Sequence, residues 1–167
     1  MFNLEHKIPP PVVGLACAGL AWLLAGAAPA LALPWSARLA LAVALLLALA
    51  GLALELWGLW VFRCHRTTPN PLAPERARAV VQSGPYRFTR NPMYVGVALQ
   101  LLGWCAYLRN PLALLALVAF VAYITRFQIL PEERALAQNF GEPYRQYLRL
   151  VDRKSTRLNS SHSRASR

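Results

Sequence analysis

Two stretches of this 167-residue chain carry residue types at spacings that could do chemistry. The first is Ser83 to Gly96, reading SGPYRFTRNPMYVG. Asn91 suits a helix N-cap and Pro92 the first helical position, where a missing N–H costs nothing, so a helix is predicted to start here. Its unpaired N–H groups and positive dipole end face the loop, with Arg87 and Arg90 beside them. That arrangement can hold an anion. Gly96 is expected to leave room for a ligand against the new helix. The same residues also fit a membrane-entry turn, with arginines on lipid phosphate and tyrosines in the interfacial belt.

The second stretch follows Pro131 and reads EERALAQNFGEPYRQYLRLVDR. Glu132 and Glu133 suit a first helical turn after a proline. Gly141 with Pro143 should end that helix, and Tyr144, Tyr147 and Leu148 would share one face of a second short one. Taken alone, this segment fits an interfacial helix. Two further charges lie inside apolar runs, Glu55 and Arg126. An ionisable group in hydrocarbon is costly unless it faces the bundle or a wet cavity. Glu55 is therefore either structural or substrate-facing. Arg126 either binds an acidic or phosphate-bearing acceptor or snorkels to the interface.

The elements that must position these groups follow from composition. The chain is 56% hydrophobic, with a mean hydropathy of +0.34, too apolar for an ordinary soluble domain. The net charge of +11 does not indicate nucleic acid, because the basic residues fall between and after apolar runs. The predicted fold is an all-α integral membrane helical bundle of about four transmembrane helices with a cytoplasmic C-terminal helical segment. The predicted runs are Val12 to Leu33, Ala37 to Phe62, Pro92 to Leu108 and Pro111 to Leu130, with Asn110 and Pro111 turning the third into the fourth. Pro9, Pro10 and Pro11 are expected to form a stiff lead-in outside the first helix. A cleaved signal peptide is the competing reading of the first run.

The long loop Arg63 to Thr89 holds Arg63, Arg66, Arg76, Arg78 and Arg87, against only Arg38 and Arg109 on the other side. Both termini and this loop should then be cytoplasmic, in a bacterial inner membrane. Cys17, Cys64 and Cys105 imply no disulfide framework, and Cys64 beside His65 lacks a second pair at metal-ligand spacing. Residues 1–153 read as one domain. Residues 154–167, rich in serine and arginine, cannot build a core and read as a non-native or disordered tail.

Arg90, Asn91, Pro92, Met93, Tyr94, Val95 and Gly96 together resemble a signature of the isoprenylcysteine carboxyl methyltransferase-like and phospholipid methyltransferase families. Many members have histidine where Asn91 stands. Arg126, Glu132, Glu133, Phe140, Gly141, Glu142, Tyr144 and Tyr147 resemble the same families' C-terminal signature. KIPPPVV and TTPNPLAPE extend the resemblance over nearly the whole chain.

The resemblance implies a membrane methyltransferase using S-adenosylmethionine. Its acceptor would be lipophilic, either isoprenylcysteine carboxylate-like or another small lipophilic molecule. A phospholipid amine N-methyltransferase and a non-catalytic scaffold are the alternatives. No strand followed by GxGxxG is present, so the cofactor would bind at helix ends.

The implied cofactor contacts are Tyr86, Arg90, Asn91, Pro92, Tyr94, Gly96, Glu132, Glu133 and Tyr144. Arg90 and the N–H groups after Asn91 would take its carboxylate, and Glu132 or Glu133 its ammonium and ribose hydroxyls. Tyr86 and Tyr94 would meet the adenosine. Arg126 and Glu55 are the candidate substrate contacts. No catalytic base is identified, since a carboxylate acceptor is already nucleophilic whereas an amine or thiol must lose a proton. The implied partners are the membrane and a lipophilic substrate, with no nucleic acid and the oligomeric state open.

Overall fold

The structure is a computed structural model that describes residues 8–65 and 81–151. The lead-in charges Glu5, His6 and Lys7, the TTPNPLAPE loop and the tail 154–167 lie outside the described residues. Helix α1 is Pro10–Ala27, α2 is Ala37–Cys64 and α3 is Pro92–Leu108. A long fourth helix has three joined parts: α4 (Leu114–Ile124), a π-helical turn (Thr125–Ile129) and α5 (Leu130–Phe140). Helix α6, residues 142–151, follows it.

Helix α1, helix α2 and the continuous Pro111–Phe140 helix are long and apolar enough to cross a membrane. Helix α3 is apolar but has only 17 residues, or about 26 Å against a hydrocarbon core of about 30 Å. The protein is an all-α membrane bundle in which the first, second and fourth expected apolar runs are long enough to cross and the third is shorter.

Three boundaries differ from the sequence expectation. Helix α1 begins at Pro10 instead of Val12, with prolines in its first turn, where the N–H they lack has no helical partner. It stops at Ala27, and Pro29 opens a separate 3₁₀ turn, Pro29–Leu31. The largest difference is at Pro131, where a new helix was expected and the old one runs through. Proline inside a helix removes one hydrogen bond and presses its ring on the carbonyl four residues back. Here the turn just before it widens, and the Leu130 N–H bonds the Thr125 carbonyl. The proline is absorbed without ending the helix.

The hairpin predicted at Asn110 is present. Arg109 takes a left-handed backbone, φ 53°. The buried Asn110 side chain donates to the carbonyls of Ala25 (3.3 Å) and Ala28 (2.8 Å) and accepts from the Leu112 N–H (3.0 Å). The Leu33 N–H donates to the Arg109 carbonyl at 2.6 Å, and the Arg109 guanidinium donates to the Trp35 carbonyl at 3.0 Å. The α1–α2 and α3–α4 connections are thus fastened to each other.

Helix α3 is central. On one side it forms the largest interface of the bundle, with α2. A Cβ on Gly51 would lie 2.5 Å from the Gly96 carbonyl oxygen, and one on Gly103 would lie 2.8 Å from that of Ala44, so the two backbones nearly touch. Between helices in lipid, such close packing and interhelical hydrogen bonds replace the hydrophobic effect. The bond here runs from Gln100 Nε2 to Glu55 Oε1 at 3.0 Å. On its other side α3 shares a core with α1 and α4 around Cys17, Ala21, Leu101, Cys105, Phe120 and Ile124.

Gly51→Val should therefore lower thermal stability in detergent by about 1–3 kcal/mol or more, the usual cost of overpacking. Gly26→Ala should leave it unchanged or raise it by up to about 1 kcal/mol, since no atom lies within 4 Å of the added carbon and alanine favours a helix over glycine. Equal unfolding curves for Gly51→Val and wild type would show that the close approach does not hold the bundle together.

Candidate functional site

The site is built where α3 begins. Just before it, Gly84–Arg87 forms a 3₁₀ turn. Gly84 has φ 58°, and a Cβ there would lie 2.7 Å from Val61 and 3.1 Å from the Trp57 indole nitrogen, so only glycine lets the turn close on α2. Tyr86, on this turn, is buried, and its ring meets Phe62 of α2 edge-on at 5.1 Å.

Asn91 does stand at the N-cap of α3 and Pro92 at its start, as expected. The Asn91 side chain makes no capping bond, however. With φ −131° and ψ 59°, this residue instead directs its own N–H to Thr89 Oγ1 at 3.3 Å. The start of the helix was read correctly and the means of capping it was not.

The two charged stretches meet at this end of the bundle. The Tyr94 hydroxyl donates to Glu132 Oε2 at 3.0 Å, and Arg90 pairs with Glu133 at 3.3 Å. Gly141, at φ 61°, ends α5 and turns the chain into α6, whose Tyr144, Tyr147 and Val151 are buried against Leu136, Ala137 and Phe140. The Tyr147 hydroxyl then donates to the Tyr86 carbonyl at 2.9 Å, tying α6 to the 3₁₀ turn.

Burial pushes the Tyr147 hydroxyl up to about 12, with Arg90 opposing and Glu133 adding to the shift. Burial likewise raises Tyr144 above the usual tyrosine range, helped by Glu133 and Glu132. Tyr86 is raised by burial, then by Glu132 and Tyr147. These phenols stay protonated at neutral pH and are available as hydrogen-bond donors.

Of the expected cofactor contacts, Tyr86, Arg90, Tyr94, Glu132, Glu133 and Tyr144 lie in this one cluster, and Asn91 and Pro92 frame it. Gly96 does not open onto ligand space. A Cβ there would meet Glu55 Cγ at 2.5 Å and the Gly51 carbonyl at 2.7 Å, so α2 fills the room. Glu55 is correspondingly engaged between α2 and α3 by Gln100. Arg126 is exposed on the π turn, its guanidinium 5.6 Å from the centre of the Phe127 ring.

Two residues escaped the sequence reading. Gln100 and Gln128 are polar side chains within apolar runs, the same signal that singled out Glu55. What the cluster offers chemically is one guanidinium, two carboxylates and buried phenols around a helix start. That set suits a small ligand bearing both charges, with hydroxyls and a flat ring.

The family described as phospholipid methyltransferase matches residues 39–143, more than half of the chain, from the first turn of α2 to the first turn of α6. An uncharacterized protein of Haemophilus influenzae is 43% identical over 61 residues, which is 36% of this chain and 97% of that protein. No solved structure matches the chain.

Tyr147→Phe removes a buried hydrogen bond and should cost about 0.5–1.5 kcal/mol at neutral pH. A hydroxyl whose folded value is raised contributes stability that is present below about pH 10 and lost as pH rises toward about 12. Thermal unfolding of the variant should accordingly fall off less steeply over that alkaline range than that of wild type. Parallel pH curves would rule out the buried hydroxyl as the source.

Proposed function

We propose, from the premise that this chain belongs to the phospholipid methyltransferase family, that the cluster binds S-adenosylmethionine and that the protein methylates a lipophilic acceptor there. One observation carries the reading. Tyr94 and Glu132, 38 residues apart in sequence, meet at 3.0 Å, with Arg90 on Glu133 beside them, at the start of a helix.

The residues fit such a cofactor. Its carboxylate matches the Arg90 guanidinium, whose five donors in a planar fork serve more than one acceptor, and the N–H groups of the first turn of α3. Its ammonium and ribose hydroxyls match Glu132 and Glu133. Tyr86 and Tyr144 supply ring surface for adenosine. When bound, the cofactor supplies a methyl group already activated on a sulfonium.

The chain is left with alignment and exclusion of water. Tyr86, Tyr144 and Tyr147, at 6%, 4% and 5% exposure, close one wall of the cluster. Glu132 and Glu133 sit on a helix that continues into the apolar part of the bundle, so a ligand held by them lies next to the lipid side. Arg126, one turn and a half before Glu132 and held over Phe127, would on this reading receive an acidic or phosphate-bearing part of the acceptor. The basic end is proposed to face the cytoplasm, as the arginine bias favours.

Labelled S-adenosylmethionine should bind the detergent-purified protein saturably, and absence of such binding would reject the reading. Arg90→Ala and Glu132→Ala should weaken that binding roughly tenfold to a hundredfold, the usual worth of a charge-assisted bond. Arg126→Ala should raise the KM for an acidic acceptor by a similar factor and leave cofactor affinity alone. Binding without turnover across a panel of lipids would favour a non-catalytic scaffold.

A further inference from the structure

Gln128 lies on the π turn and is fully buried, at 0% exposure. Its Nε2 donates to the Ile8 carbonyl at 2.8 Å, which fixes the orientation of the amide, because only the nitrogen can face a carbonyl. The other amide atom, Oε1, is buried and has no hydrogen-bond partner among the described residues. Nor has the Tyr123 hydroxyl, five residues earlier on the same helix. Burying an acceptor without a donor is costly in any apolar setting, and a leucine would fill a core position more cheaply.

The place of this orphan oxygen is informative. Gln128 is four residues before Glu132, so it follows the same side of the helix about 6 Å deeper in the bundle. Ile8, which holds its nitrogen, packs on the same core cluster as Tyr94, the residue bonded to Glu132. An acceptor-only oxygen therefore stands about one helical turn from Glu132, on the apolar side of the charged cluster. It would repel a carboxylate and attract a group that carries an N–H or O–H.

We propose that Gln128 Oε1 receives a hydrogen bond from an N–H or O–H of the ligand bound at the Arg90–Glu132 cluster. The assignment rests on the functional reading above and adds a residue that reading does not use. A donor beside the cofactor, its α-amine, and a donor on the methyl acceptor are the two sources of the same chemistry. Binding an amine through its N–H leaves the nitrogen lone pair uncommitted.

The test uses the full chain in detergent, with S-adenosylhomocysteine, octylamine and octanoate as calorimetric probes. Gln128→Leu removes both amide atoms, whereas Gln128→Glu keeps one oxygen in place and exchanges the nitrogen for a second oxygen, which in a protonated carboxyl still donates to the Ile8 carbonyl. Gln128→Leu should weaken one of the first two probes about tenfold or more, while Gln128→Glu keeps it and octanoate is unaffected by either change. Loss confined to S-adenosylhomocysteine would identify the donor as the cofactor amine. Loss confined to octylamine would identify it as the acceptor.

If both variants lose all probes together with thermal stability, the amide serves packing and the assignment is overturned. It is equally overturned if wild type binds the probes and Gln128→Leu binds them as well. A wild type that binds none of the three would instead overturn the functional reading itself.

Discussion

The near contact of two backbones, Gly51 of α2 against Gly96 of α3, is the constraint from which the rest of the bundle takes its geometry. Helices in lipid gain nothing from hiding apolar side chains, so closeness and shared hydrogen bonds must hold them. Gly51 and Gly96 provide the closeness, and the Gln100–Glu55 bond fixes the register between the same two helices. Once that register is set, the start of α3 falls beside Gly58, Val61 and Phe62 of α2. There Gly84 and Tyr86 complete the contact. The position of the charged cluster is inherited from a glycine contact deeper in the bundle.

The second half of the cluster reaches the same place by a different route. Glu132 and Glu133 ride on the long α4–α5 helix, which meets Tyr94 of α3 and Arg90 just before it. Helix α6 then folds back at Gly141 and fastens onto the Tyr86 carbonyl through Tyr147. At the other end of the molecule the Asn110 side chain bonds the Ala25 and Ala28 carbonyls at the end of α1 and the Leu112 N–H of its own connection. The bundle is closed by backbone bonds at the Asn110 end and by side-chain bonds among titratable groups at the Arg90 end.

Much of this was legible in the sequence, for physical reasons that differ by element. Apolar runs in lipid must be helices, because no other segment can satisfy its own backbone there, so each helix could be placed and α3 to the residue, while the ends of α1 and of the last long helix could not. Pro92 could be read because a proline in a first turn has one comfortable place. Pro131 could not, since the same preference applies to a proline at a helix start and to one accommodated by a widened turn. Gly96 looked like space for a ligand because a glycine says only that something comes close. Whether that something is a ligand or a neighbouring helix depends on tertiary register. Gln128 could be seen as a polar residue in an apolar stretch, but the sequence carries no indication of which of its amide atoms will be satisfied.

The widened turn at Thr125–Ile129 amounts to a single extra residue wound into an otherwise regular helix. Each residue of an α-helix advances about 100° and 1.5 Å. Winding 125–129 as a regular α-helix with all five residues kept would thus straighten the helix and swing everything after it by about a quarter turn. Glu132 and Glu133 would then leave Tyr94 and Arg90 and point to another side of the bundle. The turn works as a phase-setter: the proline downstream makes it necessary, and it in turn decides which direction the paired carboxylates face.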